Sequence, residues 1–143
     1  MADSRQTGSH GGFVAELPCR IASVEDGRLA LLAYLGNHDI DALVINRIEV
    51  ILEEIVSNVV RHGKGADYVR IRANCSGGEI RLIIEDNGTP FDPFAAAEPD
   101  RFTTVSEAKL GGQGIPLVKR LSRSVHYERL GEVNQTSAII ATY

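Results

Sequence analysis

The chain has 143 residues, 43% of them hydrophobic and 24% charged, which is typical of one soluble globular domain with a substantial core. Its net charge of −4 gives no support for non-specific nucleic-acid binding, and no apolar run approaches the roughly 20 residues that span a membrane. Cys19 and Cys75 lie far apart, so we expect reduced thiols and not a zinc site. No signal sequence is visible, so the cytoplasm is the expected location.

The chain begins with a polar segment followed by an apolar one. Residues 1–12 are rich in Gly, Ser and Thr, so we expect a flexible tail, with one domain over residues 13–143. The apolar residues and the proline of segment 13–20 are typical of an edge strand.

Two helices are predicted next. Ser23 is placed to cap the first helix, which ends at Gly36. The second helix begins at Asp39 or Asp41 and ends at Arg61, before a Gly-Lys-Gly stop. Its apolar residues fall on one broad arc, which we expect to face a sheet.

The second half predicts a β-hairpin, a loop and three more elements. Apolar and polar residues alternate over 69–73 and 80–84 on either side of a Gly-Gly turn, which predicts the hairpin. Residues 90–112 show no period, and a loop this long is usually functional. The elements expected after it are a helix and two strands, over 115–121, 125–127 and 136–142. This order predicts an α+β fold: a two-layer sandwich with a mixed, mostly antiparallel sheet and helices on one face.

A row of polar residues lies along one border of the apolar arc of the second helix. Glu54, Asn58 and His62 are spaced four residues apart. The amide oxygen of Asn58 suits Mg²⁺, which prefers oxygen ligands and keeps several waters. Glu54, one turn earlier, could act as a base toward a hydroxyl or water. An ordinary solvated face is the alternative, and the helix alone favours it; we expect His62 to complement the helix dipole.

An acidic turn follows the second hairpin strand. Asn87 and Gly88 suit a hairpin turn, yet no alternating strand follows, which makes that alternative weaker. The carboxylate of Asp86 could accept a hydrogen bond from the exocyclic amino group of adenine, with Gly88 allowing a flat ring to approach the backbone. Asp92 either caps the loop or is solvated.

A glycine-rich loop, Gly111-Gly112-Gln113-Gly114, precedes the last predicted helix. Backbone N–H groups at a helix N-terminus bind anions, and glycines permit close approach. A flexible hinge is the alternative. The loop is neither a Walker A motif nor a Rossmann fingerprint. The three patches together argue for a nucleotide site.

The order of these patches resembles the GHKL (HATPase_c) superfamily, which includes gyrase, the heat-shock chaperone, sensor histidine kinases and MutL. Within it, the chain looks like the RsbW-type anti-sigma factor serine kinases, from about residue 13 to the C-terminus. The resemblance implies a Bergerat-type ATP-binding fold with ATP and Mg²⁺ as cofactors.

The resemblance also implies residue roles. Glu54 matches the catalytic base, Asn58 the magnesium ligand, and Asp86 the adenine-reading aspartate beside Gly88. Residues 90–111 match the lid over ATP, although Pro90 stands where the family has a second glycine. The remaining implied ATP contacts are Gly112 and Gly114 under the phosphates, Thr136 at the adenine, and Lys109 or Arg101 as candidates for the cation at the γ-phosphate.

The implied activity is a serine/threonine protein kinase that phosphorylates a STAS-type anti-anti-sigma protein and sequesters a partner such as a sigma factor. A non-catalytic ATP-binding partner-switch module and a detached histidine-kinase-like ATPase domain stay open as alternatives. Direct contact with nucleic acid or membrane is not expected, and a homodimer is left open.

Overall fold

The computed structural model describes residues 3–7, 12–95 and 114–143. Within these ranges lie three helices and six strands. The helices are α1 (Ala22–Leu35), α2 (Ala42–His62) and α3 (Gly114–Leu121). The strands are β1 (Asp3–Thr7), β2 (Gly12–Pro18), β3 (Tyr68–Ser76), β4 (Glu79–Asp86), β5 (Ser124–Leu130) and β6 (Val133–Ala141).

One six-stranded sheet carries the helices on one face, in the order β1-β2-β3-β4-β6-β5. This confirms the predicted α+β two-layer sandwich. The sheet was expected to be mixed and mostly antiparallel; the five pairings among the described strands are all antiparallel. Alternate residues of β2, β3, β4 and β6 face the helices, and these side chains form the core with α1 and α2.

The start of the chain differs from the expected flexible tail and edge strand. Strand β1 pairs with β2 from Asp3 opposite Glu16 to Thr7 opposite Gly12, so β2 lies inside the sheet. Strand pairing uses backbone groups, which a polar composition does not remove. Pro18, at the end of β2, lies beyond the reach of β1, where its missing N–H costs no hydrogen bond on that side.

Helix α1 begins without the expected cap. Ser23 lies inside the first turn, and its buried hydroxyl donates a hydrogen bond to the carbonyl of Pro18 at 2.5 Å. The N-cap position is Ile21, which makes no side-chain cap bond. Ser23 therefore ties the helix to the end of β2. The helix ends at Leu35, with Gly36 as its C-cap, as predicted.

Helix α2 is the wall of the later site, and its bounds follow the sequence closely. The carboxylate of Asp41 accepts a hydrogen bond from the backbone N–H of Leu43 at 3.0 Å, so Asp41 is the N-cap. Gly63 is the C-cap. The buried apolar residues recur every three or four positions and are Val44, Ile48, Ile51, Leu52, Ile55, Val56 and Val59.

The β3–β4 hairpin turns on two glycines in the left-handed region, Gly77 at φ 59° and Gly78 at φ 79°. Two successive positive φ angles are typical of a type I′ turn, which matches the twist of the strands. The register that follows places Asp86 at the end of β4, between Val69 of β3 and Asn134 of β6.

The described beginning of the long loop is anchored. Pro93 is buried and Phe94 packs against the core. The carboxylate of Asp92 accepts a hydrogen bond from the backbone N–H of Phe94 at 2.9 Å, so Asp92 caps this turn. Pro93 and Phe94 therefore attach the described beginning of the loop to the core.

Both cysteines are free thiols, as expected. The hydroxyl of Tyr34 donates to the sulfur of Cys75 at 3.7 Å. Burial raises the pKa of Tyr34 to about 12. None of the helices in the described ranges combines the length and apolar character that crossing a bilayer requires.

Candidate functional site

A pocket of about 270 Å³, partly open to solvent, lies between the C-terminal half of α2 and the adjacent ends of β4 and β6. That volume includes space open to solvent, so the pocket is a cleft and not an enclosed cavity. Its lining is apolar with a few polar groups: Ile55, Asn58, Val59, Gly63, Asp86, Phe91, Pro93, Asn134 and Thr136.

Asp86 is 3% exposed, and its carboxylate is held through one oxygen. Oδ2 accepts hydrogen bonds from the backbone N–H of Gly88 at 3.0 Å and from the amide of Asn134 at 3.1 Å. No described residue donates to Oδ1. Because buried carboxylates need donors, Oδ1 is the atom available to an N–H group of a ligand.

Gly88 and Gly63 pack back to back beside this carboxylate. A Cβ on Gly88 would lie 2.9 Å from the backbone carbon and oxygen of Gly63 and 3.0 Å from Oδ2 of Asp86. The sequence predicted that Gly88 makes room for a flat ring. That role stays a prediction. The structure shows in addition that the glycine is needed for close packing of the turn on the end of α2, because the backbone of Gly63 lies where a Cβ would be.

Asn58 lines the pocket from α2 and is 7% exposed. Its Nδ2 group donates to the backbone carbonyl of Glu54 at 2.9 Å, which fixes the orientation of the amide. Its Oδ1 accepts from the guanidinium of Arg61 at 3.4 Å, so this oxygen already faces a cation. Among the described residues, no group of three or more His, Cys, Asp or Glu side chains is arranged so that it could hold a metal ion. A magnesium ion would suit this arrangement, because Mg²⁺ takes few protein oxygens and completes its shell with water and phosphate.

Glu54 lies one turn before Asn58 on α2, and its carboxylate touches the first residue of α3. A Cβ on Gly114 would overlap the carboxylate of Glu54. The carboxylate of Glu54 therefore fills the space beside Gly114 that a side chain would need. The structure thus brings Glu54 and Gly114 together, side by side with Asn58.

Thr136 is 3% exposed and lines the pocket, where no described residue forms a hydrogen bond with its hydroxyl. Asn134, two residues earlier on the same face of β6, also lines the pocket and was not singled out from the sequence. The period of two along β6 is the signal that could have found it, because it places Asn134 beside Thr136 on the buried face.

His62 and Phe91 form an aromatic pair at the mouth of the pocket. Their ring centroids are 4.5 Å apart and the planes differ by 18°, which is a stacked geometry. His62 lies in the last turn of α2, where the sequence predicts that it complements the helix dipole. Its stacking contact also links the end of α2 to Phe91, a loop residue that lines the pocket.

Several predicted site residues lie outside the described ranges: Gly112, Lys109, Arg101 and the proposed lid beyond residue 95. Of the others, Asn58, Asp86 and Thr136 line one pocket. Gly88 packs against Gly63, which lines the pocket, and Glu54 contacts Gly114.

Comparison with known proteins gives a consistent assignment. A family model described as a histidine kinase-like ATPase domain matches residues 17–140. The anti-sigma F factor of Clostridium kluyveri is 25% identical over 115 residues, which cover 79% of this chain and 80% of that protein. The serine/threonine-protein kinase BtrW of Bordetella bronchiseptica is 26% identical over 80 residues, covering 54% of this chain and 56% of the relative.

A solved structure shares the fold. The RsbU and RsbW domains of a Mycobacterium tuberculosis protein superpose with a TM-score of 0.68 at 17% identity, over 91% of this chain and 32% of that one. This chain therefore spans about a third of that protein's resolved chain.

Proposed function

The chain belongs to the histidine kinase-like ATPase domain family, and from that premise we propose that it is a magnesium-dependent serine/threonine protein kinase. Its substrate would be a STAS-type antagonist protein, and it would also sequester a partner such as a sigma factor. Such a partner switch would operate in the cytoplasm. The relatives named anti-sigma F factor and serine/threonine-protein kinase support this proposal.

One observation carries the proposal: a buried aspartate, with one carboxylate oxygen that no described residue bonds, shares a pocket with the amide of Asn58. Asp86 would accept a hydrogen bond from the exocyclic amino group of adenine through Oδ1, assisted by the Thr136 hydroxyl. Guanine presents a carbonyl oxygen at the equivalent edge, and two acceptors repel. We therefore expect ATP to be preferred over GTP.

The proposed metal ligand and the proposed base both lie on α2. The Oδ1 of Asn58 would hold Mg²⁺, after Arg61 has moved from its 3.4 Å contact. The ion, when bound, neutralises charge on the phosphates. Glu54 would take the proton of the attacking serine or threonine hydroxyl, since its carboxylate lies one turn from Asn58. Gly112 and Gly114 would lie under the phosphates, and Lys109 would contact the γ-phosphate.

The test is single-turnover transfer of labelled phosphate from ATP to the STAS-type protein that co-purifies with the chain. We expect Glu54→Gln to bind ATP as the wild type does and to transfer phosphate about 10²–10⁴-fold more slowly. Glu53→Gln is the matched control, because Glu53 is the neighbouring, exposed carboxylate on α2. Absence of transfer by the wild type would refute the kinase and leave an ATP-binding module. Equal transfer rates for the wild type and Glu54→Gln would refute the role of Glu54.

A further inference from the structure

Asn134 makes four hydrogen bonds through one side chain, although it is 3% exposed. Its Nδ2 donates to Oδ2 of Asp86 at 3.1 Å and to the backbone carbonyl of Thr89 at 2.8 Å. Its Oδ1 accepts from the hydroxyl of Tyr127 and from the backbone N–H of Phe91 at 3.4 Å. The amide therefore connects β4, β5, β6 and the start of the loop.

We propose that Asn134 is a positioning residue that determines base selectivity, by holding Asp86 so that its Oδ1 points at the ligand. Tyr127 would act through Asn134, because its hydroxyl donates to the amide oxygen and restrains the side chain. This inference rests on the proposed nucleotide site and names residues that set its specificity.

The orientation of the amide follows from its partners. The backbone N–H of Phe91 can only donate, and the carbonyl of Thr89 can only accept. A flipped amide would place its NH₂ group against the N–H of Phe91 and its oxygen against the carboxylate of Asp86. The hydroxyl of Tyr127 can donate or accept, so it fits this orientation without selecting it. Asn134 thus has one well-satisfied orientation, and in that orientation it must donate to Asp86.

The consequence falls on the other oxygen of Asp86. Two donors, from Asn134 and Gly88, meet at Oδ2 and stop the carboxylate from rotating about its last bond. A fixed carboxylate offers Oδ1 to the pocket without an entropic cost on binding. Without Asn134, only Gly88 would hold the carboxylate of Asp86. The carboxylate could then rotate, and the site would discriminate less well between a donor and an acceptor on the base.

The test compares the affinities of ATP and inosine triphosphate, which carries a carbonyl in place of the exocyclic amino group. We expect the wild type to prefer ATP. Asn134→Ala should weaken ATP binding about tenfold or more, as for loss of a hydrogen bond to a charged group, while affinity for inosine triphosphate changes little. The ratio of the two affinities should therefore fall toward one.

Two further variants make the interpretation specific. In an Asp86→Asn background, Asn134→Ala should have little additional effect, because it acts through Asp86. Tyr127→Phe keeps the ring and should lower the ratio several-fold in a folded protein. Ser137→Ala is the control, since this half-buried serine lies on the opposite face of β6 and donates a hydrogen bond to the carbonyl of His126.

The outcomes separate this inference from the proposed function. A wild type that binds ATP and inosine triphosphate equally would refute base reading by Asp86. A selective wild type whose ratio survives Asn134→Ala, or additive losses in the double variant, would overturn the role of Asn134 alone. If Asn134→Ala does not fold, Tyr127→Phe decides: an unchanged ratio overturns the inference.

Discussion

The first residue of α3, Gly114, lies directly against the carboxylate of Glu54 on α2, leaving no space for a β-carbon between them. The obstructing atoms are at the free end of a flexible side chain, and they could move at low cost. Gly114 is therefore needed less for folding than for the position of the Glu54 carboxylate.

We predict that Gly114→Ala folds with near wild-type stability yet transfers phosphate more slowly, because the methyl group displaces the proposed base. Combining it with Glu54→Gln should add little further loss, since both changes act on one carboxylate. Single-turnover transfer rates and denaturation midpoints provide the measurement. Gly36→Ala is the control, because its Cβ would meet only Leu32 O at 3.4 Å and Ala33 O at 3.6 Å. Normal transfer by Gly114→Ala would contradict the prediction.

Gly88→Ala should behave in the opposite way. Its Cβ would lie 2.9 Å from backbone atoms of Gly63, which cannot move aside as a side chain can. We expect a loss of about 1–3 kcal/mol in the free energy of unfolding, as for overpacking. Chemical denaturation against the same Gly36→Ala control tests this, and an unchanged midpoint would mean that the turn relaxes freely.

Asp86→Asn should weaken ATP binding by about one to two decades, because a charge-assisted hydrogen bond is worth roughly 1.5–3 kcal/mol. Calorimetric titration with ATP gives the affinity. Asp26→Asn, an exposed carboxylate on α1, should bind ATP normally. Equal affinities for wild type and Asp86→Asn would remove the adenine-reading role.

Asn58→Ala should abolish the dependence of ATP affinity on magnesium. The change deletes the proposed metal-ligating oxygen and one hydrogen bond to the carbonyl of Glu54, worth about 0.5–1.5 kcal/mol, so the fold should persist. The measurement is ATP affinity with magnesium and after its removal by a chelator. Asn46→Ala, at an exposed position of the same helix, is the control. An unchanged magnesium effect would assign Asn58 to structure alone.

Stability should decline between about pH 10 and about pH 12 through Tyr34. Its pKa in the fold, about 12, lies above the ordinary 10.0, so ionisation favours the unfolded chain. The stabilising contribution is complete below pH 10.0 and is lost as pH rises through about 12. Urea unfolding across this range should show a shallower decline for Tyr34→Phe than for wild type. Tyr143→Phe, at an 84% exposed position, should leave the decline unchanged.

The sequence predicted features that depend on local pattern. Helix α2 has Asp41 as its N-cap and Gly63 as its C-cap, close to the predicted bounds, because capping and periodicity involve residues a few positions apart. Prediction from the sequence failed where the hydrogen-bonding partner of a residue is distant in the chain or is a backbone group. Ser23 bonds the carbonyl of Pro18 and not a helical N–H.

Two further misses have the same cause. Pairing of β1 uses backbone groups that every residue carries, so composition could not predict it. Asn134 has its key partner, Asp86, 48 residues away in the chain, and no spacing pattern joins the two. Asp86 itself was recognisable because it directly follows the apolar run of β4.

The pairing of β4 with β6 has a consequence for how reliably the pocket assembles. A slip of one residue would turn Asn134 away from Asp86 and toward solvent, and it would also expel Ala138 and Ile140 from the core. A chain with shifted register would therefore lose the contact between Asn134 and Asp86 and, at the same time, part of its buried apolar surface. The register that buries Ala138 and Ile140 is therefore the same register that places Asn134 beside Asp86.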